Sequence, residues 1–249
     1  MPNYQWKKIA ENYRLERDTK SFPHLLIDKL IASLIGGKSF KILDFGAGSG
    51  TISRLISKEN SQIIAYEPTA EMRHLLERST PKEKYKNIKI VDELKEVKKI
   101  KNLDGLICVN VLNHIKNVPV ILRVFSSLLK KEGQLVISLP HPLKNHGTWE
   151  KKNVKGKWNY AYYRLDDYMK EGKIERTRED INGNVVVKKV ISYHRKFSTY
   201  YNWIEEAGFE IKRIYEPAPS RKDAKNFPIL YSKSSRIPYF LIFKCVKTK

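Results

Sequence analysis

The chain has 249 residues, 41% of them hydrophobic, enough for one packed domain with a modest addition and too little for two large independent domains. A mean hydropathy of −0.51, with no apolar run near the roughly 20 residues of a bilayer crossing, excludes a transmembrane helix; the mixed-charge segment Met1 to Lys20 has no apolar signal core, so a cytoplasmic address is expected. Lys and Arg number 48 against 27 Asp and Glu, a formal net charge of +21, but these residues interleave with acids along the chain, and diffuse charge attracts polyanions without designating a site.

In chain order, Pro23 to Ile35 carries Leu26, Leu30 and Leu34 at helical spacing before Gly36 and Gly37 stop it, and Phe40 to Phe45 reads as a short apolar strand. A helix from about Ile52, a strand at Gln62 to Tyr66, a helix from Ala70 and a strand at Ile88 to Val91 continue the rhythm. Strands at Gly105 to Val109 and Gln134 to Leu139 follow, separated by a helix with Asn117 as its cap and Pro119 in its first turn. This alternation predicts a parallel sheet with helices on both faces. Cys108 and Cys245 each sit in an apolar run, too few for a disulfide framework or a cysteine-built zinc site, and read as reduced core thiols.

After Pro140 the composition shifts to Trp149, Trp158, Tyr160, Tyr162, Tyr163 and Tyr168 among charged residues. Within this stretch Lys173 to Arg178 and Val185 to Tyr193 flank Asn182-Gly183, a hairpin-turn signal, so residues 141–195 read as a helix-and-hairpin cap inserted into a domain made of residues 1–140 and 196–249. A helix from Ser198 to Gly208 and strands at Phe209 to Tyr215 and Tyr239 to Val246 complete the sheet. The connection between those strands contains Pro217, Pro219, Pro228 and Pro238 and reads as a long surface loop.

The sharpest local signal is Lys41-Ile42-Leu43-Asp44-Phe45-Gly46-Ala47-Gly48-Ser49-Gly50, a buried strand running into three alternating glycines and then a helix. A turn at the carboxyl end of the first strand of a doubly wound sheet lies in the crevice where such folds bind ligands. A dinucleotide fingerprint needs glycine at the sixth position from Gly46, where Thr51 stands. Asp44 suits a ligand bearing an ammonium group better than one bearing pyrophosphate. Glu67, at the end of the second strand, is placed to accept both hydroxyl hydrogens of a ribose. An unphosphorylated nucleoside with an amino-acid tail satisfies both acids.

On these residues the chain resembles class I S-adenosylmethionine-dependent methyltransferases, of the small-molecule, methyltransferase type 11-like branch, with a Rossmann-like, mostly parallel seven-stranded sheet. The resemblance covers about Trp6 to Leu139, with an echo at Phe197 to Pro217 carried by Tyr200, Ala207-Gly208-Phe209 and Glu216-Pro217. It implies that Gly46, Gly48 and Gly50 cradle the methionine moiety, with Asp44 near its ammonium, and that Glu67 holds the ribose. Pro68 and Met72 would border the adenine. Asp92 would accept from the adenine amino group, or Glu93 in its place, because the family's glycine-acid pair is here Val91-Asp92-Glu93-Leu94. Asn110, Val111 and Leu112 would line the sulfonium end and Tyr13 would reach the cofactor carboxylate. The implied cofactor is S-adenosylmethionine, with S-adenosylhomocysteine as product.

Methyl transfer is an in-line displacement that requires the nucleophile about 3 to 3.5 Å from the methyl carbon. An oxygen or nitrogen nucleophile usually loses a proton as well, and histidine suits that work near neutral pH. His141 is the first candidate, held between Pro140 and Pro142, with His114 and His194 as the others. Trp149, Trp158 and Tyr163 of the insert, with Arg195 and Tyr200, are the candidate substrate contacts, and Arg195 or Arg164 is suited to a substrate carboxylate. His24, His74 and His146 show no metal-ligand spacing, so no catalytic metal is expected.

The leading expectation is an enzyme methylating O, N or C of a small metabolite. An RNA or DNA methyltransferase is the alternative, motivated by the charge. Against it, Val109-Asn110-Val111-Leu112 lacks the Asn/Asp-Pro-Pro-aromatic run of amino-methylating adenine enzymes, and no Pro-Cys pair offers the nucleophile of cytosine carbon-5 enzymes. A cofactor-binding protein without catalysis is a third reading, since the acids and glycines argue only for binding.

Overall fold

The computed structural model describes residues 9–10, 22–36, 39–57, 61–154, 157–179 and 185–248. Helix α1 (Phe22–Leu34) leads into β1 (Lys41–Phe45), α2 (Thr51–Ile56), β2 (Gln62–Tyr66), α3 (Ala70–Ser79), β3 (Ile88–Val91) and α4 (Leu94–Lys99). Then come β4 (Leu103–Val109), a 3-10 turn (Leu112–His114), α5 (Val118–Leu128), β5 (Leu129–Pro140) and a second 3-10 turn (Pro142–Asn145). Two hairpins follow, β6 (Gly147–Val154) with β7 (Lys157–Leu165) and β8 (Gly172–Glu179) with β9 (Val185–His194). The remaining elements are α6 (Phe197–Glu206), β10 (Phe209–Tyr215), α7 (Asp223–Asn226), α8 (Pro228–Ser234) and β11 (Phe240–Lys247).

Seven strands form one sheet in the order β10-β11-β5-β4-β1-β2-β3, the Rossmann-like architecture expected. All pairings among β1 to β5 are parallel, and β11 alone runs antiparallel, slotted between β5 and β10. The carboxyl ends of β1, β2, β3, β4 and β5 therefore open on one edge, with the strand order reversing between β1 and β4.

Side-chain alternation along the strands builds two cores, one per face. Leu43 and Phe45 of β1, Leu106 and Cys108 of β4, and Leu135, Ile137 and Leu139 of β5 pack with Leu122, Phe125 and Leu128 of α5 and Ile204 of α6. Ile42, Ile107, Val136 and Ile242 face the other way, against Ile27, Ile31 and Leu34 of α1 and Ile52 and Ile56 of α2. The innermost stripe of α1 is thus Ile27-Ile31-Leu34, and Leu26 and Leu30 flank it. Both cysteines are buried and free.

Three parts of the chain differ from the sequence expectation. Asn117 sits at the start of α5, but its side chain makes no capping bond, and Pro119 lies in the first turn. The aromatic stretch after Pro140 forms a hairpin, β6-β7, rather than a helix, beyond the short turn at Pro142–Asn145. Alternating Trp and Tyr favour the pleated surface of a strand, where Trp149 meets Tyr160 and Tyr163 edge to face. The proline-rich connection between β10 and β11 contains α7 and α8, with Pro228 as the first residue of α8, where its missing amide costs nothing. The Asn182-Gly183 turn lies outside the described residues. No helix among the described residues is long and apolar enough to cross a membrane.

Candidate functional site

The chain leaves β1 through a turn folded back onto β2. The amides of Gly46 and Ala47 both donate to the carbonyl of Tyr66, at 2.8 and 2.9 Å. Gly46 has φ 79° and Gly50 φ 74°, left-handed values that favour glycine. A Cβ at Gly46 would run into the side chain of Val111, and one at Gly50 into Leu76, so both positions also lack room. At Gly48 a Cβ would meet only Met72 Cε, at 3.4 Å, which leaves that face of the turn uncrowded.

Two acids sit beside this turn. Asp44 is 2% exposed and accepts from Ser53 Oγ at 2.6 Å. Glu67 is 6% exposed; its Oε2 accepts the Gly48 amide and its Oε1 the Thr69 amide, both at 3.0 Å. Burial pushes the Glu67 carboxyl above its ordinary range, while these two amides and the charge of Arg73 pull it back. The same burial, with the charges of Glu67 and Asp92, pushes the Tyr66 phenol up to about 12. Pro68 is half-buried between Glu67 and Thr69, and Met72 is buried beneath Gly48.

Arg73 was not singled out in the sequence. It donates to the Glu67 carbonyl at 3.4 Å and pairs with Asp92 at 3.4 Å, linking the ends of β2 and β3. Glu93 starts α4 and pairs with Lys95 at 2.5 Å. Of the two acids after β3, Asp92 is therefore the one joined to the Glu67 side of the turn. After β4, Asn110 takes φ 56° and its amide donates to the Ser138 carbonyl at 2.8 Å, while its Oδ1 is buried without a partner. Val111 packs on Gly46, and Leu112 is fully buried in the core. Tyr13 and the side chain of Trp158 lie outside the described residues.

The three histidines have different surroundings. His141 is 5% exposed; Leu143 donates its amide to Nδ1 at 3.3 Å, which assigns the proton to Nε2, and Nε2 donates to Glu216 Oε1 at 2.8 Å. Burial holds its imidazole below the usual histidine range, helped by the charge of Lys144 and opposed by Glu216. His114 donates from Nδ1 to the Ile191 carbonyl at 2.9 Å, tying the turn after β4 to β9. His194 is fully buried, with Nδ1 accepting from the Asn145 amide group at 3.2 Å and Nε2 donating to the Tyr168 carbonyl at 2.7 Å. Both its nitrogens are engaged, and the ring joins β9 to the loop before β8.

Arg195 is 5% exposed; its Nη2 donates to the carbonyls of Ile115 and Lys116 at 2.7 and 2.8 Å, and its guanidinium lies over the rings of Tyr193 and Trp203. Burial raises the phenol pKa of Tyr200, opposed by the charge of Arg195 and a hydrogen bond from it. Arg164 is already paired with Glu150 at 3.2 Å and Asp166 at 3.1 Å. Tyr163 donates its hydroxyl to the Leu143 carbonyl at 2.9 Å, which fastens the Trp149-Tyr160-Tyr163 cluster to the turn after His141. The sequence marked Glu216 only as part of the Glu216-Pro217 echo, without its partnership with His141, and gave no signal for Glu171. Glu171 accepts from the Lys196 amide at 2.6 Å and from Thr199 at 2.5 Å, closing the start of α6.

A family model described as "Methyltransferase domain" matches residues 15–213. The chain belongs to that family. Among solved structures, this methyltransferase is similar to a putative S-adenosylmethionine dependent methyltransferase from Listeria monocytogenes, with TM-score 0.74 and 18% identity over 92% of this chain and 100% of the other. An S-adenosylmethionine dependent methyltransferase from Mesorhizobium loti matches with TM-score 0.67 and 19% identity, over 88% and 96% of the two chains. A 1,6-didemethyltoxoflavin-N1-methyltransferase from Burkholderia thailandensis, solved with 1,6-didemethyltoxoflavin and S-adenosylhomocysteine bound, matches with TM-score 0.56 and 14% identity over 100% and 91%. Among curated proteins none matches the chain.

Proposed function

We propose that this methyltransferase binds S-adenosylmethionine at the carboxyl edge of β1, β2 and β4 and transfers its methyl group to O, N or C of a small molecule. The observation that carries the reading is the carboxylate of Glu67 held on the Gly48 amide, beside a turn whose glycines permit close approach of a ligand. The orphaned, buried Oδ1 of Asn110 at the end of β4 fits a polar ligand there, since a buried acceptor without a partner is costly. In this reading Gly46, Gly48, Gly50 and Asp44 hold the amino-acid end, Glu67 the ribose, Pro68, Met72 and Asp92 the adenine, and Asn110 and Val111 the sulfur end. When bound, the cofactor supplies an electrophilic methyl on a sulfonium.

In this reading His141 takes the proton of the acceptor. Glu216 fixes the Nε2 proton, which makes Nδ1 the basic nitrogen; its lone pair accepts the Leu143 amide at 3.3 Å, a bond that opens when Nδ1 takes the proton. A base oriented by a carboxylate is the arrangement general-base catalysis uses. Residues 1–140 with 196–249 form the cofactor-binding unit, and residues 141–195 the substrate cap, where Trp149, Tyr160 and Tyr163 offer aromatic faces that exclude water. The solved 1,6-didemethyltoxoflavin methyltransferase, with its heterocycle bound, supports a small-molecule acceptor on this fold.

Titration calorimetry with S-adenosylhomocysteine, followed by turnover on a panel of small acceptors, tests the reading. Binding with turnover sustains it; absence of binding sinks it, and binding without turnover on any acceptor favours a non-catalytic role. The net charge of +21 favours a second reading, methylation of nucleic acid. That reading requires RNA or DNA affinity that falls steeply with salt.

A further inference from the structure

Four cations converge on the aromatic side of the insert. Lys144, three residues beyond His141, is half-buried with its ammonium over the Tyr239 ring, 2.8 Å from the centroid. Arg176 of β8 donates through Nη2 to the carbonyls of Lys144, at 3.1 Å, and Asn145. Lys233 of α8 lies 4.1 Å from the Tyr160 ring centroid. Arg236 lies over Trp149 and donates to the carbonyls of Tyr160 and Ala161, at 3.0 and 2.6 Å. Among the described residues, none of the four forms an ion pair with a carboxylate.

We propose that Lys144, Arg176 and Lys233 form the subsite for an anionic group, a carboxylate or phosphate, of the small molecule that is methylated. The proposal rests on the reading of a small-molecule methyltransferase and deepens it by naming the acceptor's chemical class. Like charges gathered around a half-buried ammonium repel, and the Tyr239 face offsets only part of that cost. The ammonium of Lys144 shows the strain: burial, then the charges of Arg176 and Lys233, push it down to about 7. An anion in their midst reverses the repulsion and restores the proton. Arg176 and Arg236 are held by the chain's own backbone carbonyls, so the positive field is preorganised. The charge of Lys144 also acts on His141, which sets the subsite beside the proposed base. Charges gathered around the one half-buried Lys144 ammonium suit one small anion better than a polymer, which is met by a basic stripe.

The test is residue-resolved lysine acetylation of the full chain, read by mass spectrometry in phosphate-free buffer at about pH 7.5, where a lysine of lowered pKa reacts readily. Inorganic phosphate and acetate are the two probes, with sodium chloride matched for ionic strength. The expected result is fast labelling of Lys144 and saturable protection of Lys144 and Lys233, about fivefold when the probe reaches some four times its Kd, with exposed Lys95 unprotected. Phosphate protecting where acetate does not marks a phosphate subsite, and the reverse a carboxylate subsite. Arg176→Gln should weaken the protection. Equal protection by chloride, protection by duplex RNA alone, or full protection in Arg176→Gln would each overturn the proposal. Calorimetry with S-adenosylhomocysteine on the same preparation reports separately on the methyltransferase reading, so its failure is distinguishable from failure of the anion subsite.

Discussion

The Glu67 carboxylate and the Gly48 amide, 19 residues apart in sequence, are joined by a 3.0 Å hydrogen bond. The bond bridges the ends of the first two strands, and the Thr69 amide on the other carboxylate oxygen extends it to the start of α3. Glu67 therefore fastens the glycine turn to the end of β2, and in the proposed reading it is also the acid that meets the ribose.

Replacing Glu67 by Gln removes the charge and one acceptor position while keeping the shape. We expect affinity for S-adenosylhomocysteine to fall by about 10- to 100-fold, the ~1.5–3 kcal/mol of charge-assisted hydrogen bonds. Calorimetry measures it, and unchanged affinity would remove Glu67 from the binding site.

Gly46→Ala combines a left-handed backbone with a collision against Val111. A stability loss of about 1–3 kcal/mol is expected. Adding Val111→Ala relieves the collision but not the backbone strain, so the double variant should recover only part of the loss in chemical denaturation.

Glu216→Gln keeps a hydrogen-bonding group at Nε2 but removes the charge that raises the His141 pKa. The acidic limb of the kcat profile should move to lower pH, with kcat reduced and cofactor affinity unchanged. His141→Ala should lower kcat by about 10²–10⁴-fold, the usual range for a lost general base. A pH profile that does not move in Glu216→Gln would leave His141 a structural role only.

Lys144 gives a stability signature with a defined sign. Its folded pKa, about 7, lies below the ordinary lysine value of 10.5, so between those limits the unfolded chain binds more protons than the folded one. Stability contributed at this residue rises with pH across that window and is least below about pH 7, where the folded state must carry the buried charge. Thermal melts of wild type and Lys144→Met in phosphate-free buffer should diverge as pH falls from about 9.5 to about 7, with the variant showing the flatter curve. Parallel curves would mean that Lys144 is better hydrated than its surroundings imply.

The strand-helix alternation, the glycine turn with Asp44 and Glu67, and the positions of His141 and Asn110 after β5 and β4 were legible from residue order alone. Their signals are local: apolar periodicity, glycines at a strand end, an acid at the next strand end. A carboxyl-edge location follows from any parallel sheet, so those residues were expected on one edge before any contact was known. Lys144, Arg176 and Lys233 carried no such signal, being three among 48 basic residues. Only the folding of β8, α8 and the turn after β5 against one another brings them together. The partnerships of His141 with Glu216, 75 residues on, and of Arg73 with Asp92 at the end of β3 have the same origin. Local pattern determined which elements form and where a ligand edge lies. Which charges meet there was decided by tertiary packing, because electrostatics depends on distance in space, and sequence separation does not report it.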